Sequence, residues 1–401
     1  MPIIFATVLI DLIGFGIVIP ILPFLSPQLG ADKLDIAFII AVYAVFAGLC
    51  GPWWGRLSDH IGRKPVIMIC LAGAALSYVM LGLATELWMI YAARGFAGLM
   101  AGNFGVASAM VADVTPPQQR ARGMGVIGSA FGLGLVIGPF LGGILSGPDN
   151  SFTLPCIVAG GMSALAIVAA ALFLPESLSA EKRRENREHH ATTPRQSVFS
   201  MLRETRNTML AGQYTVHNTC VSSVGYLFPL WVGDYLGWGA REVGMVFGVQ
   251  GLFMSAMQAG LIGPVARRIG ELPFLRTGIT VMLCGFLVAA IADTPFWMVA
   301  TFFITISGAT VCTPLLNAIT SHRTPPRIRG RMMGTTASAA SWGRVAGPLF
   351  AGANLQLFGY SGAWLFSACV AGLFLAWAWL ARIDADGQGV SPDAEGQRPP
   401  P

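Results

Sequence analysis

Long runs of nearly uncharged residues recur along this chain, and each is close to the length of about 20 residues at which an α-helix crosses a bilayer. We predict twelve membrane-spanning helices, here called spans 1 to 12. Their centres lie at Gly14, Tyr43, Gly73, Met100, Gly134, Leu165, Thr219, Gly251, Cys284, Gly308, Trp342 and Gly372. A water-soluble domain carries roughly a quarter charged residues, whereas this chain has only 11%. The bilayer is therefore the solvent in which we expect the chain to fold.

The basic residues predict which side of the membrane each connection faces. Of the 25 Lys and Arg residues, only Lys33 and Arg241 fall in connections on one side, and Arg94 and Arg344 fall within spans. The others lie in the connections of the opposite side or in the C-terminal tail, which is the pattern of cytoplasmic segments. This predicts a multi-pass protein of the cell (inner) membrane with both termini cytoplasmic. Topology thus accounts for the net charge of +5, and we expect no nucleic-acid partner.

An internal repeat divides the chain into two halves. VTPPQQRARGMG from Val114 matches RTPPRIRGRMMG from Arg323, and glycines follow both segments at the same spacing. We predict six-helix bundles over residues 1–174 and 207–382, a cytoplasmic linker over 175–206 and a disordered cytoplasmic tail over 383–401. The fold class is therefore an all-α membrane protein of two pseudo-symmetric bundles, an arrangement found in secondary transporters.

Several functions are not expected from this sequence. No GxxxxGK[ST] motif is present, so ATP is not the predicted driver. No nucleophile, metal-ligand cluster or Ser/His/Asp grouping lies within a span or a large loop, which argues against an enzyme. We expect no cofactor and no metal site. The expected partners are a small-molecule substrate, protons and membrane lipids, and we expect a monomer.

Four motifs carry a family resemblance. They are DLIGFGIVIPILP in span 1, GRLSDHIGRKP between spans 2 and 3, ARGFAG in span 4 and GSAFGLGLVIGPFLGG in span 5. Together they resemble the major facilitator superfamily, in its proton-coupled drug-antiporter type, and look most like the tetracycline-exporter branch. The resemblance implies the major facilitator fold and alternating access driven by a proton gradient. The chain departs from the tetracycline-type pattern because span 8 has no histidine and Asp293 lies only at the outer end of span 9.

Two of these motifs also suggest structural roles. In the loop motif we predict a gate of Asp59, Arg63 and Lys64, in which Asp59 meets the start of span 11 and Arg63 reaches Asp113. Its second-half copy, GPVARRIGELP, has Arg267 in place of the aspartate. In span 5 we predict an antiporter-motif segment that allows close helix packing and a bend. Its residues are Gly134, Gly138, Pro139 and Gly142.

Ionisable residues inside spans are costly and therefore are candidates for function. At 1.5 Å per residue, Asp11 lies about 12 Å into span 1, and it is the expected proton carrier. His217 is a second candidate for proton coupling, because a neutral imidazole can take up a proton. The predicted substrate-binding residues are Asp11, Arg94, Asn103, His217, Gln258, Asn317 and Arg344.

The charges of these residues suggest the substrate class. Two arginines within spans face one aspartate, which favours an anionic, zwitterionic or metal-chelating amphiphile over a simple organic cation. A static Asp11–Arg94 pair that only holds helices together is the alternative for these two residues. The leading prediction is a proton-coupled exporter of such molecules. A lipid or metabolite carrier of the same fold, and a membrane sensor or assembly partner that does not transport, remain alternatives.

Overall fold

A computed structural model describes residues 2–116, 119–147, 151–179, 181, 183, 205–324 and 329–380. Nearly all of them are helical, and no strand occurs among them. The chain is therefore an all-α membrane protein, as the sequence predicts. The predicted bundle boundaries stay predictions, because residues 184–204 in the linker and 381–401 in the tail lie outside the described part.

The first half contains spans 1 to 6. The helices are α1 (Pro2–Val18), α2 (Leu22–Gln28), α3 (Lys33–Ile61), α4 (Arg63–Gly82), α5 (Leu87–Leu99), α6 (Asn103–Val114), α7 (Arg120–Ser146) and α8 (Thr153–Phe173). Span 1 consists of α1 and α2, which meet at an angle of 45°. Pro20 and Pro23 lie at this bend, where a missing amide hydrogen interrupts the helical ladder. Span 4 consists of α5 and α6.

The second half contains spans 7 to 12. The helices are α9 (Thr205–Leu236), α10 (Ala240–Ala256), α11 (Ile262–Ile269), α12 (Glu271–Ala289), α13 (Pro295–Arg323) and α14 (Arg329–Leu380). A π-helical turn, Met257–Leu261, joins α10 to α11 within span 8. The 52-residue helix α14 provides spans 11 and 12, because the backbone of Gly359 is non-helical, with φ at 68°.

Within the described residues, nine helices are long and apolar enough to cross a membrane, or ten if the bent pair α1–α2 is one span. Counting α14 as two spans and adding α9 agrees with the twelve predicted spans. Helix α9 has the required length but is more polar, since Gln213, His217 and Asn218 lie in it with several Ser and Thr residues. Its polar face packs against α14, as described below.

Two pairs of helices form most of the contact between the halves: α7 packs on α10, and α3 packs on α14. We call the membrane side that the Lys- and Arg-rich connections face the basic side. Towards the side away from it, Gly143 of α7 meets the backbone of α10 at Gly244, and Gly352 of α14 meets Ala37 of α3. The halves are therefore in tight contact at this end.

The same helix pairs separate towards the basic side. Gly251 of α10 still contacts Val136 of α7, whereas Gly132 and Gly125, further along the same face of α7, have open space around them. In the second pair, Gly48 of α3 contacts Ser341 of α14, and Gly55 is open. The structure is thus closed on one side and open on the basic side.

Candidate functional site

A charged cluster surrounds Arg63 at the basic side of the first half. Its Nη2 atom lies 2.7 Å from Asp59 Oδ1, and its Nε atom lies 3.1 Å from Asp113 Oδ2. Its Nη1 atom donates a hydrogen bond to Ser58 Oγ at 2.5 Å. The guanidinium is buried and satisfied on three sides, so it joins α3, α4 and α6 into one unit. The contact with Asp113 is the one that the sequence predicts.

Glu176, which the sequence analysis did not identify, completes this cluster. Its carboxylate accepts hydrogen bonds from the backbone amides of Arg63 at 2.9 Å and Lys64 at 3.1 Å. These are free amides at the positive N-terminal end of α4, where a carboxylate is favoured. Gly62 has φ at 114°, and a Cβ atom there would overlap Glu176. The Lys64 ammonium donates to the carbonyl oxygen of Ala171 at 2.8 Å.

The described residues include only part of the predicted gate. All contacts named above join elements of the first half. The latch of Asp59 onto the start of span 11 stays a prediction, because the side chains of residues 325–331, directly before that stretch, lie outside the described part.

The second half carries the corresponding site with the acidic and basic residues exchanged. Gly270 has φ at 88° and begins α12 as Gly62 begins α4. The next residue is Glu271 instead of Arg63, and its carboxylate lies 3.4 Å from Nδ1 of His322. The acid thus sits on the loop and the base on the neighbouring span, opposite to the arrangement of Arg63 and Asp113.

The predicted antiporter-motif residues of α7 pack directly against α1. A Cβ atom at Gly138 would lie 2.6 Å from the Cα atom of Gly16, and one at Gly142 would overlap the carbonyl oxygen of Ile17. Pro139 and Gly134 contact the same stretch of α1. These four residues therefore allow the two backbones to touch, which is the packing role that the sequence suggests.

Asp11 lies on α1 beside the start of α6. Its Oδ2 atom accepts a hydrogen bond from Asn103 Nδ2 at 3.1 Å. The two side chains border a cavity of about 10 Å³ whose other walls are mostly apolar, formed by residues such as Ile67 and Leu71. Asn103 Oδ1 is buried without a hydrogen-bond partner among the described residues. Two predicted site residues are thus brought together.

Arg94 is buried in α5 but does not pair with Asp11. Its guanidinium lies over the ring of Tyr43, with 4.4 Å between Cζ and the ring centroid, and its Nε atom has no hydrogen-bond partner in the described structure. No ion pair joins Arg94 to Asp11 among the described residues. The alternative of a static Asp11–Arg94 pair is therefore not what the structure contains.

Arg344 comes from the second half and lies at the depth of Tyr43. The contacts of Gly352 with Ala37 and of Ser341 with Gly48 fix this register of α14 on α3. The Arg344 side chain is exposed, and its Nη2 atom donates to Ser341 Oγ at 2.8 Å. Residue 344 therefore lies opposite the stretch of α3 that carries Tyr43. Sequence analysis places Tyr43 at the centre of span 2 but assigns it no role.

The other predicted residues of the second half lie apart from this group. His217 is buried, with Nε2 2.9 Å from Thr313 Oγ1 and with Nδ1 lacking a partner in the described part. Asn317 accepts a hydrogen bond from the Tyr214 hydroxyl at 2.6 Å. Both contacts join α9 to α13.

Gln258 lies in the π-helical turn and is exposed, whereas Gln250 of α10 is buried. Neither amide atom of Gln250 has a hydrogen-bond partner among the described residues. Its spacing from Val243 and Phe247 places it on the face that packs on Phe228. This spacing is the signal that could have directed the sequence analysis to Gln250.

No group of three or more His, Cys, Asp or Glu residues in the described part could hold a metal ion. The candidate site therefore consists of Asp11 with Asn103, and of Tyr43 with Arg94 over its ring and Arg344 at a similar depth in the other half. A second group around His217 and Gln250 supplies neutral polar atoms.

The chain was compared with known proteins. The sequence profile of the Major Facilitator Superfamily matches residues 4–258 and 210–401. The class C tetracycline resistance protein of Escherichia coli is 31% identical over 355 residues, which cover 86% of this chain and 87% of that protein. The crystal structure of the human organic anion transporter MFSD10 has a TM-score of 0.70 at 25% identity, covering 94% of this chain and 98% of the other.

A third relative is a bacterial homologue of the human lysosomal transporter Spinster, in an inward-facing conformation. It has a TM-score of 0.78 at 14% identity, covering 97% of this chain and 98% of the other. At this identity the likeness concerns the fold. The family profile spans both halves of the chain, and the tetracycline resistance protein matches most of its length. The chain belongs to the Major Facilitator Superfamily and is a multi-pass membrane transporter rather than an enzyme.

Proposed function

We propose that this transporter exports small anionic or zwitterionic amphiphiles in exchange for protons. It would work in the cell (inner) membrane with the basic side and both termini in the cytoplasm. The observation that carries the proposal is Asp11, an acid deep in span 1 whose hydrogen-bond partner is a neutral amide rather than a cation. Such a carboxyl group can take up and release a proton when its access to water changes.

Asn103 suits both protonation states of Asp11. Its Nδ2 group donates to the carboxylate in the present arrangement, while its unpartnered Oδ1 atom would accept from a protonated carboxyl group after the amide turns over. The proton on Asp11 would therefore have an acceptor in the Asn103 amide, as a proton carrier requires.

Alternating access supplies the second part of the mechanism. The halves separate on the basic side and close on the other side, where Lys33 of α3 forms an ion pair with Asp234 of α9. The Tyr226 hydroxyl donates to the carbonyl oxygen of Lys33 at 2.6 Å, and the Tyr360 hydroxyl donates to Asp234 at 2.6 Å. Export would require these contacts to break while the basic side closes.

The substrate class rests on charge and on the relatives. Arg94 and Arg344 present two guanidinium groups without a carboxylate partner in the described part, which favours a substrate with an acidic group. The relatives include tetracycline resistance proteins and a human organic anion transporter. A lipid or metabolite carrier would suit the same arginines, and it differs from the proposal in needing no proton exchange.

Proton movement in proteoliposomes tests this proposal. Purified protein would be reconstituted with an imposed pH gradient and challenged with anionic, zwitterionic and cationic amphiphiles, tetracycline included. We expect substrate-evoked proton flux that Asp11→Asn abolishes. Asp293→Asn makes the same chemical change at an exposed position and should leave the flux intact.

The other outcomes assign the function differently. Substrate counterflow without proton flux in the unchanged protein would contradict proton coupling and support the carrier. Binding without any counterflow would contradict transport and support the sensor.

A further inference from the structure

Tyr43 lies on α3, one of the helices through which the two halves pack together. Its ring stacks under the Arg94 guanidinium on one side, and the Phe15 ring of α1 lies 5.5 Å away between centroids, tilted by 33°. Asp11 lies one helical turn before Phe15 on α1. Tyr43 itself is half-buried, so part of its surface is free to meet another molecule.

Neither Arg94 nor Arg344 has a carboxylate partner in the described structure. Arg94 is only 6% exposed. Its guanidinium contacts the Tyr43 ring, but its Nε atom has no hydrogen-bond partner in the described structure. A buried cation without an acid partner is costly. Arg344 is exposed, and its described hydrogen bond goes to a neutral hydroxyl. Arg344 therefore has exposed donors available for an anion, and Arg94 adds a buried positive charge that no carboxylate balances in the described structure.

The positions of these groups fit one kind of molecule. A planar aromatic ring can stack on Tyr43 and Phe15, and an acidic group on that ring would then lie between Arg94 and Arg344. Each guanidinium offers paired N–H donors that match the two oxygens of a carboxylate. An aliphatic anion would meet the arginines but not the rings, and an aromatic cation would meet the rings but be repelled by the arginines.

We infer that Tyr43 is a specificity-determining residue that selects aromatic anions, which Arg94 of the first half and Arg344 of the second half clamp by their acidic group. This inference deepens the proposed function by naming its substrate class. Because the two arginines come from opposite halves, the bound anion also links the halves.

Equilibrium binding to the purified protein in detergent tests the inference with three probes. The probes are 1-naphthoate, which has ring and charge, octanoate, which has the charge alone, and 1-naphthylmethylammonium, which has the ring with the opposite charge. We expect 1-naphthoate to bind most tightly. Tyr43→Leu should weaken its binding by about tenfold, the size of a lost aromatic contact, while leaving octanoate unchanged.

Further variants separate the ring from the charge. Tyr43→Phe keeps the ring and should retain 1-naphthoate binding. Arg344→Gln should weaken 1-naphthoate and octanoate alike by about tenfold or more, the range for a lost charge-assisted hydrogen bond. Tyr235→Leu and Arg241→Gln make matched changes at exposed residues and should leave all three affinities unchanged. Circular dichroism and size-exclusion chromatography would check that each variant is folded.

The inference is wrong if Tyr43→Leu weakens octanoate as much as 1-naphthoate, or if Arg344→Gln leaves both anions unchanged. It is also wrong if the unchanged protein prefers 1-naphthylmethylammonium. Failure of the proposed function would look different, because these are binding measurements without a pH gradient. Normal 1-naphthoate selectivity combined with no proton flux would overturn proton exchange alone.

Discussion

The two halves share a scaffold of glycines but surround it with different chemistry. In the first half, Gly138 of α7 meets the bare backbone of α1 at Gly16. In the second half, the corresponding Gly347 of α14 meets a hydroxyl-rich face of α9. There Ser222 donates to the carbonyl oxygen of Gly343 at 3.1 Å, and Ser223 donates to that of Gly347 at 3.2 Å.

This difference explains why α9 is as long as a span but more polar than the helices that are apolar enough to cross a membrane. Its polar side chains are satisfied by the backbone of α14 and by their own helix, so they do not meet hydrocarbon. The first half instead carries Asp11 on α1, the helix that packs against the glycines of α7, and Arg94 buried in α5. The comparison suggests that the first half binds the proton, while the second half contributes neutral hydrogen-bonding groups and one arginine.

The glycine seam of the first half should be the more sensitive to added volume. Gly138→Ala places a methyl group against the backbone of Gly16, which cannot move aside as a side chain can. We expect a loss of stability of about 3 kcal/mol and no transport, measured by thermal unfolding and by substrate flux. Gly128→Ala, at an open position on the same helix, should behave like the unchanged protein. A fully active Gly138→Ala variant would contradict the close packing of α1 and α7.

The second half contains a buried side-chain amide, that of Gln250. Gln250→Leu removes two unpartnered polar atoms from the interior, so the variant should unfold at a higher temperature than the unchanged protein. If Gln250 also meets substrate, transport should fall several-fold at the same time. Gln356→Leu makes the same change at an exposed residue of α14 and should change neither quantity. A lower unfolding temperature for Gln250→Leu would show that its amide is satisfied in the membrane.

The third comparison concerns two glutamates at the N-terminal ends of helices. Glu176→Ala removes the carboxylate that holds the first turn of α4, and we expect it to cost about 1 kcal/mol, the size of a lost helix cap. Glu86 is the N-cap residue of α5, but its side chain makes no capping hydrogen bond. Glu86→Ala should therefore leave the unfolding temperature unchanged. Equal effects of the two variants would remove the special role of Glu176.

The fold and several site contacts could be predicted from the sequence. Span length and the basic connections indicate the bundles, and the glycine spacing of span 5 indicates close packing with a neighbouring helix. The partnership of Arg63 with Asp113 follows from a motif and its topology. These features depend on local patterns that repeat at helical spacing or on charges at the ends of spans.

Other contacts could not be predicted, because sequence spacing indicates which residues share a helix face but not which residues of a neighbouring helix pack against that face. Glu176 caps a helix whose first residue lies 113 positions earlier in the chain. Arg94 stacks on Tyr43 rather than pairing with Asp11, since the rotations of α1, α3 and α5 decide which side chains meet. In span 8, the orientation of the helix buries Gln250 and exposes Gln258.

The most direct test of the division between the halves compares Asp11→Asn with His217→Gln in the same proteoliposome assay of substrate-evoked proton flux. The account predicts that Asp11→Asn abolishes the flux, while His217→Gln, which keeps a hydrogen-bonding group near Thr313, leaves it within a few-fold of the unchanged protein. Proton flux that survives Asp11→Asn but disappears in His217→Gln would place proton binding in the second half and contradict the account.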